Sequence, residues 1–268
     1  MNPLRDMSTQ RLRNVRAVFT DIDDTLTTDG QLTAQAYSAM CNLQLAGVNV
    51  VPITGRPAGW CDLIARLWPV YGVVGENGAF YFQYDRCLKR MNRNYADPHS
   101  VRQEKREKLQ EIGKVIVANV PGAAISADQQ YRETDLAIDF AEDVSPLPNS
   151  SIDRIVGYFL SNGATAKVSS IHVNGWIGDY DKLTMTRIFV NQCWGRDLEE
   201  SNDDYVFVGD SPNDAPMFEY FHQSIGVANV VALKDRLPSA PKYVTCSKGG
   251  AGFAEVADAI LRARDCGG

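Results

Sequence analysis

The sequence predicts an α/β protein: a doubly wound parallel sheet interrupted by an inserted α+β domain. Three observations carry that expectation. Short apolar runs at 17–20, 48–53 and 205–209 each end abruptly in polar residues, as strands buried on both faces do. Segments with helical spacing separate them. Between residues 81 and 177 the pattern changes to strands of alternating polarity, which implies an antiparallel sheet with one wet face. The expected division is a loose arm over 1–15, a core over 16–80 and 178–268, and the inserted domain over 81–177.

Taken in order, the first strand at 17–20 runs into Asp21, Asp23 and Asp24. A buried strand tolerates no carboxylates, so these sit just past its carboxyl end, the edge where open α/β sheets bind ligands. Asp21 and Asp23 are two apart, so in extended backbone both can face one ligand. Adjacent carboxylates repel unless a cation or a shared proton intervenes, and a hard divalent ion is the natural solution. An acidic, solvated turn is the other reading of this segment taken alone. A helix follows over 33–46, with Ala36, Met40 and Leu43 on one face and Gly47 as its stop. The second strand, 48–53, ends in Thr54-Gly55-Arg56. A helix at 58–68, stopped by Pro69, leads to a third strand at 71–74 before Glu76-Asn77-Gly78.

Within the insert, strands are expected at 81–88, 123–126, 136–140, 164–168 and 170–174. Helices are expected at 101–120 and 152–161, the latter after Pro146 and Pro148. Beyond Trp176 the parallel pattern returns: a helix at 182–194, a strand at 205–209 ending in Asp210, and a helix at 215–221. Short strands at 224–228 and 243–245 and a helix at 254–264 close the chain. Right-handed crossovers bring the ends of the parallel strands, and so Asp21, Asp23, Thr54 and Asp210, to one edge. Asn213 and Asp214 suit helix capping, which does not explain Asp210 at the end of an apolar strand.

Bulk properties narrow the function. The 268 residues can bury a sizeable core. With 27 basic against 33 acidic residues, a net charge of −6 argues against a nucleic-acid or anionic-membrane surface. No apolar run approaches the ~20 residues that span a bilayer, and the polar first sixteen residues predict no secretory leader. Six cysteines without paired spacing predict free thiols in a reducing cytoplasm, not zinc ligands or a disulfide framework.

The segments Asp21-x-Asp23-x-Thr25, Thr54-Gly55-Arg56, Lys182 ahead of a helix, and Gly209-Asp210-Ser211-Pro212-Asn213-Asp214 occur in this order. Together they resemble the four motifs of the haloacid dehalogenase superfamily of phosphohydrolases. The insert resembles the large α+β cap of its subfamily IIB, the Cof-like and sugar-phosphate phosphatases, set on a Rossmann-like core. Glu76-Asn77-Gly78-Ala79 and residues 250–261 are similar to that subfamily too, and the resemblance spans nearly all of 16–264.

That resemblance implies roles. Asp21 would be the nucleophile, forming an aspartyl-phosphate, and Asp23 the general acid/base. The Asp21 and Asp210 carboxylates and the Asp23 backbone carbonyl would hold Mg²⁺, with Asp214 completing or supporting the shell. Thr54, the Gly55 amide and Lys182 would bind phosphoryl oxygens, and Asn213 would orient Lys182 or a metal ligand. Arg56, Glu76 and Asn77 could reach the leaving group. Asp24 departs from the glycine most relatives carry, yet Asp tolerates the same turn. In the cap, His172, Asn174, Trp176 and Asp179 form a polar-aromatic set suited to a sugar; the plainer reading is a half-exposed strand histidine and a packing tryptophan. Arg132, Glu133 and Asp135 are expected to be solvated. The expectation is therefore a cytoplasmic, Mg²⁺-dependent phosphomonoesterase acting on a small phosphorylated metabolite, a sugar or polyol phosphate, with no nucleic-acid or membrane partner. A hexose phosphomutase and a catalytically silent binding module are the alternatives.

Overall fold

The computed structural model describes residues 1–169 and 171–265. From the amino end, β1 (Asn2–Pro3) and α1 (Thr9–Asn14) precede β2 (Ala17–Thr20), a small hairpin of β3 (Thr27–Thr28) and β4 (Gln31–Leu32), then α2 (Ala34–Leu45), β5 (Asn49–Pro52), α3 (Ala58–Leu67) and β6 (Val73–Gly75). A second hairpin, β7 (Phe80–Asp85) and β8 (Arg90–Tyr95), leads into α4 (His99–Asn119), β9 (Ala124–Ile125), β10 (Asp135–Asp139), α5 (Asn149–Ser161), β11 (Thr165–Val168) and β12 (His172–Trp176). The chain closes with α6 (Lys182–Trp194), β13 (Tyr205–Gly209), α7 (Ala215–Tyr220), β14 (Ser224–Gly226), β15 (Tyr243–Val244) and α8 (Gly249–Asp265).

The main sheet has the order β1-β15-β14-β13-β2-β5, and all its pairs are parallel. Its strands alternate between two apolar layers, as the two-residue period of a strand requires. Val18, Val50, Val206 and Val208 face α2, α3 and α8, through Met40, Leu43, Ile64, Phe253 and Val256. Ala17, Phe19, Val51 and Phe207 face α6 and α7, through Met185, Phe189, Met217 and Phe218. With both faces covered, every residue of β2 and β13 is buried, and polar side chains collect at the carboxyl ends.

The insert is a four-stranded antiparallel sheet, β11-β12-β10-β9, with α4 and α5 packed on one face. Leu136, Ile138 and Val173 point into that helical layer. The alternate residues Asp135, Asp139, His172 and Asn174 lie on the other face. The alternation was legible, but this polar face is not wet: all four side chains are buried.

Three expectations need correction. Residues 1–15 are not a loose arm: β1 pairs with β15, and Leu4, Met7 and Leu12 are buried. The segment beginning at 81 belongs to the core edge, because β7 pairs with β6 and β8 with β7; the insert proper starts with α4. The last insert strand runs 172–176 rather than 170–174, and Ser170 lies outside the described residues. Cys41, Cys61, Cys87, Cys193 and Cys246 are free thiols; Cys266 also lies outside the described residues. Among those residues, no helix is long and apolar enough to cross a membrane.

Candidate active site

Asp21 stands one residue beyond β2. Its amide still donates to Val208 O at 2.9 Å, so the end of the neighbouring strand holds its backbone. Thr20 pairs with Val208, which brings Asp210, two residues on, to the same edge. A capping box from Ser211 to Asp214 then turns the chain back. In it, Asp214 Oδ2 accepts from the Ser211 amide at 3.5 Å, and outside it from the amide of Asp210 at 3.1 Å. Lys182 opens α6, whose amino end is capped by Asp181 accepting from Thr184 N at 2.7 Å. Its Nζ donates to Asp21 Oδ1 at 2.8 Å and to Asp214 Oδ1 at 2.9 Å. Carboxylate oxygens of Asp21, Asp210 and Asp214 all lie within 4.8 Å of one another, and Thr25 Oγ1 donates to Asp210 Oδ1 at 3.3 Å.

This cluster holds three buried carboxylates and one ammonium. Burial pushes the Asp21 carboxyl up to about 7, against the pull of Lys182, with Asp214 and Asp23 adding to the rise. Burial together with Asp214, Asp21 and Asp24 pushes Asp210 up to about 9. Burial opposes the Lys182 charge, yet Asp21 and Asp214 hold the ammonium well above its ordinary value. A group short of positive charge and rich in carboxylate oxygen is the donor set of a hard divalent cation. The residues present therefore fit the metal that the sequence motifs imply.

Asp23 turns elsewhere. Its side chain is 34% exposed, and Arg56 grips it through Nη2 at 2.7 Å and Nε at 3.1 Å from both oxygens. The Asp23 side chain is thus outside the three-carboxylate cluster. Arg56, expected to reach the leaving group, instead holds Asp23, lies over the Trp60 ring at 4.4 Å and stands 3.8 Å from Glu142 of the insert. Asp24 adopts φ 58°, a left-handed turn that Asp tolerates. Thr54 is fully buried, and its hydroxyl oxygen accepts from Arg56 N at 3.0 Å. Asn77 is left-handed too, with φ 57°. Its amide donates to Thr54 O at 3.0 Å, and its buried side-chain Nδ2, at the edge of the cleft, has no partner among the described residues. Asn213 accepts from Ser211 Oγ at 2.6 Å. Lys182 itself donates to Asp21 and Asp214.

The cleft above these residues is roofed by the polar face of the insert, with His172 and Asn174 on its wall. His172 is buried rather than half-exposed, and its Nε2 lies 2.9 Å from a Glu142 oxygen. Trp176 is a packing residue: its ring stacks on Tyr180, centroids 6.0 Å apart, and its Nε1 donates to Tyr180 O at 3.2 Å. Asp179 is exposed.

No family model matches the chain. It is 24% identical over 254 residues to Phosphoglycolate phosphatase 1 of Saccharolobus solfataricus, covering 92% of this chain and 96% of the relative. Among solved structures it resembles a HAD/COF-like hydrolase from Plasmodium vivax, with a TM-score of 0.66 and 18% identity over 95% of this chain and 99% of that one. It also resembles the sucrose-phosphatase of Synechocystis sp. PCC6803, solved with sucrose and phosphate. There the TM-score is 0.62 and the identity 13%, over 93% of this chain and 98% of that one. The chain has the fold of these haloacid dehalogenase-like hydrolases.

Within this haloacid dehalogenase fold, sequence reasoning misplaced one group of residues. Arg132 and Asp135, expected in solvent, are each only 2% exposed, and Glu133 is half-buried. Arg132 makes a fork with Asp128, at 2.8 and 3.0 Å, and reaches Asp135 and the Gly55 carbonyl at 3.0 Å each. The one signal in the sequence was acidic residues at positions −4 and +3 from the arginine, a spacing that also describes an ordinary solvated surface.

Proposed function

We propose that the chain is a Mg²⁺-dependent phosphomonoesterase acting on a small phosphorylated metabolite, a sugar or polyol phosphate. The observation that carries this reading is the buried Asp21 carboxylate, clustered with Asp210 and Asp214 and sharing Lys182, while Asp23 is held separately by Arg56. Asp21, Asp210 and Asp214 would hold the Mg²⁺. When bound, the ion would offset carboxylate charge and polarise the phosphoryl oxygens.

In the first step an Asp21 carboxylate oxygen bonds to phosphorus as the bond from phosphorus to the ester oxygen breaks. The departing oxygen takes a proton from Asp23. Asp23, now a carboxylate, removes a proton from water as that water attacks phosphorus. The acyl-phosphate bond breaks, returning Asp21 and releasing phosphate. Lys182 and the Thr54 hydroxyl would meet the charge that develops on the transferred group, and the Gly55 amide would bind the same oxygens. Nδ2 of Asn77, unpaired among the described residues, would donate to a substrate oxygen. His172 and Asn174 offer a hydroxylated leaving group hydrogen-bonding partners, and Trp176, already packed on Tyr180, is not free to serve as a sugar platform. The relatives named for phosphoglycolate and sucrose-phosphate chemistry support a small phosphomonoester.

A panel of phosphorylated metabolites and p-nitrophenyl phosphate, with phosphate release measured with and without Mg²⁺, tests the reading. Activity that requires the ion and vanishes in a folded Asp21→Asn variant is expected. Undiminished turnover in that variant, or no hydrolysis of any ester by the wild type, overturns it.

A further inference from the structure

We propose that Arg132 of the insert is a positioning residue for the phosphate-binding loop at Thr54–Arg56. The assignment rests on the phosphomonoesterase reading, since it gives a role to a contact with that loop. The peptide linking Gly55 to Arg56 is pinned at both ends. Its carbonyl accepts from Arg132 Nη1 at 3.0 Å, and its N–H donates to Thr54 Oγ1 at 3.0 Å. That single plane sets the direction of the Thr54 hydroxyl and the root of the Arg56 side chain that grips Asp23.

Arg132 is itself immobilised. Nε and Nη2 bond the two oxygens of Asp128, and Nη1 bonds Asp135. Asn174 Nδ2 adds a bond to the same Asp135 at 3.0 Å. Of the five N–H donors of a guanidinium, four are committed to protein, so Arg132 borders the cleft with little left to offer a substrate. The segment carrying it is clamped from the core. Glu76, fully buried, accepts from Ala58 N at 2.9 Å on the core side. From the insert it accepts from Glu133 N at 2.9 Å, Thr134 N at 2.6 Å, Asp135 N at 3.2 Å and the Thr134 hydroxyl. One carboxylate thus ties the first turn of α3, just after the loop, to the residues that follow Arg132. The loop is in register only while the insert is seated.

Arg132→Lys keeps the charge and loses the fork. The expected result is a fall in kcat/KM of about 10²-fold, the scale of a small misplacement of catalytic groups. The fall is expected to be equal for p-nitrophenyl, glycerol and hexose phosphates and to lie mainly in kcat, with faster amide exchange at 54–58. A loss restricted to one leaving group would make Arg132 a substrate contact and overturn the proposal, as would unchanged exchange at 54–58. Should Arg132→Lys not fold, Asp128→Asn, which leaves Arg132 and Gly55 in place, is expected to give a smaller loss of the same pattern. Unchanged exchange in that variant overturns the proposal equally. If the wild type hydrolyses no ester, the phosphatase reading fails, while the exchange measurement still decides the link between Arg132 and the loop.

Discussion

Lys182 Nζ meets Asp21 Oδ1 at 2.8 Å across 161 residues of chain. The same ammonium holds Asp214, so three segments of the polypeptide share one cation. Replacing Lys182 with Met leaves two buried carboxylates without it. Breaking a buried pair costs about 3–5 kcal/mol, and loss of a preorganised donor to the transferring group costs about 10²–10³-fold in kcat. Thermal melting and steady-state kinetics of Lys182→Met read both effects, and wild-type turnover in that variant would contradict the arrangement.

The crowding of Asp21, Asp210 and Asp214 also predicts stabilisation by divalent ions. Mg²⁺ at a hundred times its dissociation constant adds about 2.7 kcal/mol to folding stability. Differential scanning fluorimetry should show Tm rising with Mg²⁺, and rising much less in Asp210→Asn. A rise that is the same in both proteins would place the ion elsewhere.

Glu76 governs a pH dependence outside the acidic cluster. Burial, reinforced by the charge of Asp135, raises its carboxyl to about 7 against the bonds from Thr134 and Glu133 and the charge of Arg132. Its ordinary value is 4.5, so the folded state binds the proton more tightly than the unfolded state. The resulting stability is fully present below pH 4.5 and is lost as pH rises through about 7. Urea unfolding at several pH values between 4.5 and 7.5 should give a downward slope in the wild type that is shallower in Glu76→Gln. Parallel slopes would remove Glu76 as the cause.

Gly78 sets the spacing between that turn and the lysine. Its φ is +105°, and an added Cβ would lie 2.0 Å from the Asp181 carbonyl oxygen, at the cap of α6. A backbone atom cannot yield as a side chain can. Gly78→Ala should destabilise by about 3 kcal/mol or more, since backbone strain and overpacking each cost roughly 1–3 kcal/mol, and should lower kcat by displacing Lys182. A chemical-denaturation midpoint within error of the wild type would refute this.

Much of the carboxyl edge of the main sheet was legible because a strand covered by apolar layers on both faces rejects charge: Asp21, Thr54 and Asp210 announce themselves as strand ends. Lys182 was legible only through motif order, since a lysine opening a helix is ordinary at a surface. What escaped the sequence depends on which surface covers another. Asp135, His172 and Asn174 occupy the polar face of a half-apolar strand, and nothing in a two-residue period says that a second domain closes over it. Arg132 escaped for the same reason. The pairing of Asn2–Pro3 with Tyr243–Val244 joins segments with no periodicity of their own, so the packed first residues read as a loose arm.

The position of β13 has a consequence for biosynthesis. This strand lies between β2 and β14, yet it leaves the ribosome only after the whole insert. Until then β2 and β5 can pair, but the open flank of β2 offers an unsatisfied row of amides and carbonyls to any passing strand. The insert, continuous in sequence with its own apolar layer, can fold while the nascent core waits. Chains halted before Tyr205 should therefore be the ones that aggregate or recruit chaperones.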